Sequence, residues 1–459
     1  MDFAKAYWTW LRKAVRKVNT STPNDMRNSS SRELLEFEGD INPRIDIPEG
    51  GEILIISNDQ SYLTHGVHKF PAKFFPELPR YLIQKYSVTG ETVLDPMCGS
   101  GTVVLEAMLK DRIGIGIDID PIARLITKVK TTPINPGFLI NSARSLVERI
   151  NEIDSLPDFQ PSIPEFHYRE NWFRPFVLRE LAIINESIDN PISPKQSDTM
   201  FHDIRDFFRI VLSSIIRDVS NADPHCTRTV LRKKVVKNIR PGDTLKKFSE
   251  TLFRQCDSMC KFYDVSQALN FKGVLLPDGN ALKTGMDSDS IDLIITSPPY
   301  INAVDYPRTH QLEMYWLGLL GDGPLSRLKR TYIGTETVYK EEYEHLKTTG
   351  YKTLDPILEE IYEKDSRRSF IVFKFFEDMK SQLEEMYRIL KPGGRYCIAI
   401  GSNQIRGVEV CSDRILAEIA TSGIGFEMEK TFFSKLIRHF IRIPRPERML
   451  GEWILILRK

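Results

Sequence analysis

Between an apolar strand and an apolar helix the chain reads Leu94-Asp95-Pro96-Met97-Cys98-Gly99-Ser100-Gly101-Thr102. The flanking residues predict a short buried strand over Thr92 to Asp95 and a helix over Thr102 to Lys110. Glycines in the connecting loop let the backbone turn sharply and approach a ligand closely. Open α/β sheets bind ligands at the carboxyl ends of their strands. The loop therefore predicts a nucleotide-type cofactor site, and the alternative is a structural turn in a generic α/β domain.

The rest of the chain continues this alternation of strands and helices. Further strands are predicted at Arg112 to Ile119, Val274 to Leu276, Ile291 to Thr296, Arg395 to Gly401, Phe426 to Phe433 and Trp453 to Leu457. Helices are predicted at Pro121 to Val129, Phe373 to Leu390 and Asp413 to Thr421. Such alternation implies a mainly parallel sheet that is covered by helices on both faces.

Two long stretches with helical patterning interrupt the alternation, and they define the predicted domain organisation. Residues 1–50 hold an amphipathic helix, Met1 to Lys17, followed by a linker, Asn19 to Arg32. Residues 51–130 form the first part of the α/β domain, and residues 131–270 form a helical insertion. Residues 271–459 form the second part, with a further helical insertion over residues 301–370.

Composition excludes several classes of protein. Lys and Arg number 63 against 62 Asp and Glu, so any nucleic acid must be bound through local basic patches. No apolar run reaches the ~18 residues that a membrane span needs. The start of the chain lacks the pattern of a signal peptide, and the six cysteines are scattered. A reducing cytoplasm is therefore expected, with no membrane partner.

The loop is followed by an acid near the end of the second strand. Asp118 lies about 20 residues after the loop, where a carboxylate can accept hydrogen bonds from ribose hydroxyls. The loop lacks the Gly-Lys-Ser/Thr ending of a P-loop, which disfavours nucleotide hydrolysis. It also does not match Gly-x-Gly-x-x-Gly, so a dinucleotide is a poorer fit.

A second motif, Thr296-Ser297-Pro298-Pro299-Tyr300, ends the apolar strand that begins at Ile291. Its two prolines remove backbone donors and stiffen the turn, which leaves carbonyl groups as fixed acceptors. Ser297 adds a hydroxyl group, and Tyr300 offers a flat face for stacking. Together these groups predict a pocket for a planar molecule that bears an amino group.

Both motifs resemble those of the amino-methyltransferases of restriction–modification systems. Asp95 to Thr102 is similar to the first motif of that family, and Ser297 to Tyr300 is similar to its hallmark, Asp/Asn/Ser-Pro-Pro-Tyr/Phe/Trp. The resemblance covers Thr64 to Val129, Val274 to Tyr300 and Phe373 to Lys459. It implies a Rossmann-like sheet that is mainly parallel with an antiparallel C-terminal strand, carries helical insertions and uses S-adenosyl-L-methionine.

The resemblance also implies a role for individual residues. The methionine part of the cofactor would be held by Asp95, Gly99, Ser100, Gly101 and Thr102, and Met97 would also bind the cofactor. Asp118 would bind the ribose, and Asn280 would bind the adenine amino group, although the family usually carries Asp there. Lys73, in the segment His65 to Phe74, would bind the cofactor carboxylate. No metal is expected at the histidines of that segment, because carboxylates and thiolates are absent nearby.

The catalytic residues would be Ser297, Pro298, Pro299 and Tyr300. Hydrogen bonds to Ser297 and the Pro298 carbonyl would free the lone pair of an exocyclic amino group for in-line attack on the methyl group. Ser at the first position resembles the cytosine-N4 subgroup, so the resemblance implies a site-specific DNA methyltransferase acting on N4 of cytosine. The alternatives are methylation of adenine N6 in DNA, methylation of an RNA amino group, and a catalytically silent binding subunit.

Double-stranded DNA is the predicted partner, a cognate restriction endonuclease is a candidate second partner, and the expected location is the prokaryotic cytoplasm near the nucleoid. Residues 131–270 are the candidate target-recognition region. Within them, the run from Arg228 to Lys247 holds eight basic residues and is predicted to contact the DNA backbone, and the alternative is a solvated face. A second basic set lies between the last two strands, at Lys435, Arg438, His439, Arg442, Arg445 and Arg448. A polar cluster after the catalytic motif would line the base pocket or grip a phosphate, or would only begin a solvated helix: Asn302, Asp305, Tyr306, Arg308 and His310.

Overall fold

The sheet of the protein has ten strands, and a computed structural model shows their order. The structure describes residues 15–17, 34–189, 198–232, 237–270, 273–276, 279–301, 305–320, 325–435 and 450–459. The strands are β1 Val15–Lys17, β2 Leu34–Glu38, β3 Gly51–Ile56, β4 Thr92–Asp95, β5 Ile113–Ile117, β6 Gly273–Leu276, β7 Ile291–Thr296, β8 Leu390–Ile400, β9 Asn403–Ile405, β10 Val408–Val410, β11 Glu427–Lys435 and β12 Gly451–Arg458. All except β9 and β10, which pair with each other, belong to the large sheet.

The strand order of the large sheet is β1-β2-β3-β11-β12-β8-β7-β4-β5-β6. Strands β4 to β8 all run parallel to one another. Strand β12 runs antiparallel to both β8 and β11. The prediction of a Rossmann-like, mainly parallel sheet with an antiparallel C-terminal strand is therefore confirmed. Chain order reverses between β4 and β7, and such a switch point opens a crevice at the carboxyl ends of the strands.

Helices pack on both faces of this sheet. The helices are α1 Glu77–Tyr86, α2 Thr102–Leu109, α3 Pro121–Thr131, α4 Pro136–Asp154, α5 Arg169–Trp172, α6 Pro175–Asp189, α7 Asp198–Val219, α8 Asp243–Ser266, α9 Tyr306–Thr309, α10 Gln311–Trp316, α11 Leu325–Arg330, α12 Asp355–Lys364, α13 Ser366–Ile389 and α14 Ser412–Glu418. Val93 of β4 packs with α1, while its neighbour Leu94 packs with α13 on the opposite face. Because successive strand residues point to opposite faces, both faces are buried.

The N-terminal helix predicted over Met1 to Lys17 is wrong at its last three residues. Val15–Lys17 form a strand that pairs antiparallel with β2. Pairing at the sheet edge satisfies backbone groups of β2, a gain that helical periodicity does not reveal. The rest of that predicted helix and the predicted linker lie outside the described residues. Strands β2 and β3 were not predicted, and they extend the sheet beyond its expected edge. Helix α1 was not predicted either.

The long helix before β8 begins earlier than predicted. Helix α13 starts at Ser366 rather than Phe373, because the Asp365 side chain accepts a hydrogen bond of 3.0 Å from the Arg368 amide and caps the helix. The first turn of this helix is polar, so apolar periodicity does not reveal where the helix starts. The helix ends at Ile389, directly before the predicted breaker at Pro392.

The two interrupting stretches are helical where the structure describes them. Helices α4 to α8 share a core in which Phe173, Phe207 and Phe248 are fully buried. This core also includes Leu312 and Trp316 of α10, so the first stretch packs against the beginning of the second. Within the described ranges, no helix is both long enough and apolar enough to cross a membrane.

Candidate active site

The loops that follow β4, β5 and β7 open at the same edge of the sheet, because these strands are parallel. They surround a cleft that is partly open to solvent. Ten of the predicted site residues line it: Lys73, Asp95, Met97, Gly99, Ser100, Thr102, Asp118, Asn280, Ser297 and Pro299. Gly101, Pro298 and Tyr300 do not line the cleft directly.

The glycine loop has no room for side chains at two positions. Gly99 and Gly101 have φ of +49° and +72°, a region that favours glycine. A Cβ atom on Gly99 would lie 3.0 Å from the Phe70 ring, and one on Gly101 would lie 2.7 Å from the Thr127 side chain. The Thr127 hydroxyl also donates to the Gly99 carbonyl over 3.0 Å. The sequence therefore produces a cradle that exposes backbone to the cleft.

Asp95 connects the glycine loop to the strand that carries the Ser-Pro-Pro-Tyr turn. Its Oδ1 accepts a hydrogen bond of 2.7 Å from the Thr296 hydroxyl and one of 3.2 Å from the Met97 amide. Only 3% of the residue is exposed, and burial raises the pKa of Asp95 to about 7. This carboxyl group thus fixes the two motifs relative to each other.

Asp118 also shapes the glycine loop. Its Oδ2 accepts a hydrogen bond of 2.7 Å from the Gly99 amide, and its Oδ1 accepts one of 2.8 Å from the Asp120 amide. Burial, together with the nearby Asp120 charge, raises the pKa of Asp118 to about 7. Each carboxylate oxygen has a second lone pair, so Asp118 can hold the loop and still accept from a ligand.

Lys73 lies at the edge of the cleft with two of its three protons engaged. Nζ donates to the Gln60 carbonyl over 2.7 Å and to the His65 carbonyl over 3.0 Å. Burial lowers the pKa of Lys73 to about 8. An ammonium group has three donors, so one remains for an anionic ligand.

The Ser-Pro-Pro-Tyr turn places its residues in two environments. Ser297 and Pro299 face the cleft, whereas the Tyr300 hydroxyl donates to the carboxylate of Glu452 on β12. Burial and the Glu452 charge raise the pKa of Tyr300. Glu452 was missed by the sequence analysis, because no local pattern connects the last strand with this turn.

Other lining residues were also missed or were predicted without a firm role. Phe70 and Tyr306 stack with ring centroids 5.7 Å apart and an interplanar angle of 23°, and they form an aromatic wall of the cleft. Asp120 and Tyr332 line it as well. Asn280 is exposed at the rim, where its Oδ1 accepts from the Leu282 amide over 2.9 Å.

The polar cluster after the Ser-Pro-Pro-Tyr motif divides into distinct environments. Asp305 caps α9 and forms an ion pair of 2.6 Å with Lys329, as expected for a helix start. Tyr306 faces the cleft, His310 is buried, and Arg308 is exposed. Asn302 lies outside the described residues.

The basic run from Arg228 to Lys247 is not a uniformly positive face. Arg232 pairs with Asp223 over 3.1 Å, and Lys247 pairs with Asp218 over 3.4 Å. Lys233 and Lys234 lie outside the described residues. Arg228 is exposed beside the cleft, in a neighbouring cavity that Tyr306 and Tyr332 also line. Of the second basic set, Lys435 pairs with Glu52 over 2.6 Å, and the remaining members lie outside the described ranges.

The cleft has the polar groups that a nucleoside-type ligand requires. Three side-chain oxygens lining it are buried and make no hydrogen bond of good geometry among the described residues: Thr102 Oγ1, Asp120 Oδ2 and the Tyr332 hydroxyl. Buried polar groups are normally satisfied. Together with the glycine cradle, they fit a ligand that carries hydroxyl or amino groups.

Comparisons with known proteins find similarity to DNA methyltransferases. A sequence family described as "DNA methylase" matches residues 5–128. Type II methyltransferase M.MvaI of Kocuria varians is 24% identical over 79% of this chain and 82% of its own length. Type II methyltransferase M.AvaI of Nostoc sp. is 26% identical over 79% of each chain. A DNA modification methylase of Thermus thermophilus, in a structure complexed with S-adenosyl-L-methionine, is 19% identical over 39% of this chain and 53% of its own. Its TM-score of 0.21 is too low for the two folds to be compared.

Proposed function

Since this chain belongs to the amino-methyltransferase family of restriction–modification systems, we propose that it transfers a methyl group to N4 of cytosine in double-stranded DNA. One observation carries the proposal. The Asp95 carboxyl group bonds both the glycine loop and Thr296, so the Ser-Pro-Pro-Tyr turn and the cofactor cradle face one cleft. A methyl donor and an amino group bound there would be neighbours.

S-adenosyl-L-methionine, as the methyl donor, supplies a methyl group activated by its sulfonium charge. The cradle at Gly99 and Gly101 would accommodate the methionine part, and the third Lys73 proton would bind its carboxylate. Asp118 would accept from the ribose, and Asn280 at the rim would bind the adenine. The unpartnered oxygens in the cleft support this orientation, because a ribose would satisfy them.

Ser297 and Pro298 activate the target. The lone pair of an exocyclic amino nitrogen is delocalised into the base, so the free amino group is a poor nucleophile. Hydrogen bonds from its N–H groups to Ser297 Oγ and the Pro298 carbonyl draw the nitrogen toward tetrahedral geometry. With the methyl donor bound, the freed lone pair would be placed to take the methyl group from the sulfonium sulfur, and the nitrogen would then release a proton to a nearby acceptor. Positioning and electrostatics suffice, with no covalent enzyme intermediate.

The target base must leave the duplex to reach Ser297, at a cost of a few kcal/mol. Stacking on an aromatic side chain offsets part of this cost, by ~1–3 kcal/mol per base. Tyr300 lies next to Ser297 without lining the cleft, so its ring would have to become accessible to the base when DNA binds. Serine at the first position of the motif supports cytosine as the base.

The test is mass spectrometry of nucleosides digested from duplex DNA after incubation with the protein and S-adenosyl-L-methionine. N4-methylcytosine is the expected product. N6-methyladenine would retain the chemistry and overturn the base. No methylated nucleoside from DNA, with methylation of RNA in a parallel reaction, would overturn the DNA substrate.

Asp118→Ala is expected to weaken cofactor binding about tenfold to a hundredfold, because it removes a charged hydrogen-bond acceptor and releases the Gly99 amide. Calorimetric titration with S-adenosylhomocysteine measures this change. The maximal rate at saturating cofactor should fall much less. A loss confined to that rate, with unchanged affinity, would contradict the role.

Tyr300→Ala and Tyr300→Phe separate the ring from the hydroxyl group. The alanine variant loses base stacking, so kcat/KM for DNA is expected to fall about tenfold to a hundredfold. The phenylalanine variant retains the ring and loses only the hydrogen bond to Glu452, so its loss should be smaller. Steady-state kinetics with an oligonucleotide duplex compare the two. Equal losses of kcat/KM in the two variants would show that the Tyr300 hydroxyl, and not its ring, supports methylation of DNA.

A further inference from the structure

The cleft is closed on one side by a segment from outside the two motifs. Residues 331–333 line it together with the glycine loop, although they lie in the second helical stretch. The next residue, Gly334, has φ of +77°, and a Cβ placed there would lie 3.5 Å from the Tyr300 carbonyl oxygen. One short segment therefore contacts both the cleft and the Ser-Pro-Pro-Tyr turn.

This segment is anchored at both ends. On its N-terminal side, Lys329 pairs with Asp305 over 2.6 Å. On its C-terminal side, Glu336 accepts 2.7 Å and 2.6 Å hydrogen bonds, at its carboxylate and its carbonyl, from Arg368 and Arg367 of α13. The anchors hold the Tyr332 side chain in place before a ligand arrives, and such preorganisation lowers the entropic cost of binding.

Tyr332 and Asp120 place two polar groups side by side inside the cleft. Asp120 is 2% exposed, and its Oδ1 caps α3 by accepting from the Ile122 and Ala123 amides. Its Oδ2 and the Tyr332 hydroxyl are buried, and neither makes a hydrogen bond of good geometry in the part of the chain that the structure describes, although the two groups lie close enough to interact with each other. Burial, the nearby charges of Asp120 and Asp118 and the interaction with Asp120 raise the pKa of Tyr332. The Tyr332 hydroxyl thus remains protonated and can donate to Asp120 or to a ligand.

We propose that the Tyr332 hydroxyl and Asp120 Oδ2 bind the ribose hydroxyls of the cofactor together with Asp118. The inference rests on the proposed function, because it assigns these residues to the ligand of the same cleft. A ribose has two neighbouring hydroxyl groups, each able to donate and to accept. Those groups would satisfy the Tyr332 donor and the Asp120 acceptor at once. Tyr332 is then a cofactor-positioning residue supplied by the second helical stretch.

A cycle of two proteins and two ligands tests this assignment. Wild type and Tyr332→Phe are titrated calorimetrically with S-adenosylhomocysteine and with an analogue that lacks both ribose hydroxyls. Loss of one buried hydrogen bond should weaken S-adenosylhomocysteine about tenfold in the variant. Affinity for the analogue should be the same in both proteins, because the partner of Tyr332 is missing from it.

The matched control is Tyr339→Phe, a tyrosine of the same stretch that is 58% exposed and stacks on Arg330. It should bind both ligands like the wild type. Equal weakening of both ligands by Tyr332→Phe would overturn the ribose contact, and so would no change with either ligand. Failure of the wild type to bind S-adenosylhomocysteine would instead reject the proposed function.

Discussion

Replacing Ser297 with alanine is expected to lower kcat by about 100- to 1000-fold, the scale seen when one preorganised hydrogen-bond partner is removed from a reacting group. The side chain lies in the cleft, at the end of a strand fixed to the cofactor loop through Asp95. Alanine leaves that connection intact and removes only the hydroxyl acceptor. The barrier should rise while the bound positions of cofactor and DNA remain nearly unchanged.

Two measurements separate this effect from a general disturbance of the cleft. Single-turnover methylation of a duplex gives the rate of the chemical step, and titration with S-adenosylhomocysteine gives the cofactor affinity. The affinity should stay within about twofold, since the role proposed for Ser297 is to bind the target amino group and not the ribose or carboxylate of the cofactor. Ser290→Ala is the matched control, because Ser290 precedes the opposite end of β7 and its hydroxyl donates only to the Asp287 carbonyl.

An equal loss of rate and of cofactor affinity in Ser297→Ala would contradict the assigned role. A rate within about threefold of wild type would do so more directly, because a preorganised partner of the reacting nitrogen contributes far more. In that case the Pro298 carbonyl alone would have to orient the amino group.

The sequence predicts those parts of the site that are formed by short motifs directly after a strand. The glycine loop and the Ser-Pro-Pro-Tyr turn each follow a strand with an apolar pattern, so their position at one sheet edge follows from parallel pairing alone. Asp118 belongs to the same class, since it follows the next strand directly. Parallel strands with short connections determine where such residues meet.

The parts that were missed depend on residues distant in sequence. Glu452 reaches Tyr300 only because β12 inserts antiparallel between β8 and β11. Tyr332 reaches Asp120 only because its stretch folds back across the cleft. The charge of the basic run is partly neutralised by two acids that lie shortly before it in the chain, Asp218 and Asp223. Apolar periodicity and motif spacing do not predict contacts between side chains of different segments.

A buried ionic network should make the fold sensitive to change at Glu106. The Glu106 carboxylate is fully buried on α2, where it accepts from Arg80 Nε over 2.8 Å and contacts His65 Nε2 at 2.9 Å. The Tyr62 hydroxyl also donates to it. Glu106→Gln removes the charge and leaves Arg80 partly buried beside a neutral amide. The free energy of unfolding should fall by about 3 kcal/mol, since removing one partner of a buried ion pair leaves the other charge without compensation.

Denaturation by urea at pH 7 measures the loss as a lower midpoint. Glu148→Gln is the matched control: Glu148 is exposed on α4, so its replacement should change stability by less than about 0.5 kcal/mol. Equal stability of the two variants would show that the network is not a significant source of stability.

The same network predicts how stability depends on pH. Burial opposes the charge of Glu106, but hydrogen bonds from His65 and Arg80 outweigh it and lower the pKa of Glu106 to about 2, from an ordinary value near 4.5. Its contribution is therefore present above pH 4.5 and is lost as pH falls toward 2. Burial lowers the pKa of His65 to about 4, so its neutral form stabilises the fold above pH 6.5 and that contribution disappears as pH falls to 4. The wild type should lose stability in both intervals.

The variant distinguishes the two groups. Between pH 7 and 5 the stability difference between wild type and Glu106→Gln should stay nearly constant, and below pH 4.5 it should shrink, because protonation removes the Glu106 charge from the wild type too. A constant difference down to pH 3 would contradict the lowered pKa of Glu106.

The network also fixes His65, whose carbonyl accepts from Lys73. Glu106→Gln should therefore weaken S-adenosylhomocysteine binding as well, whereas Glu148→Gln should not, which connects this remote pair to the cofactor carboxylate.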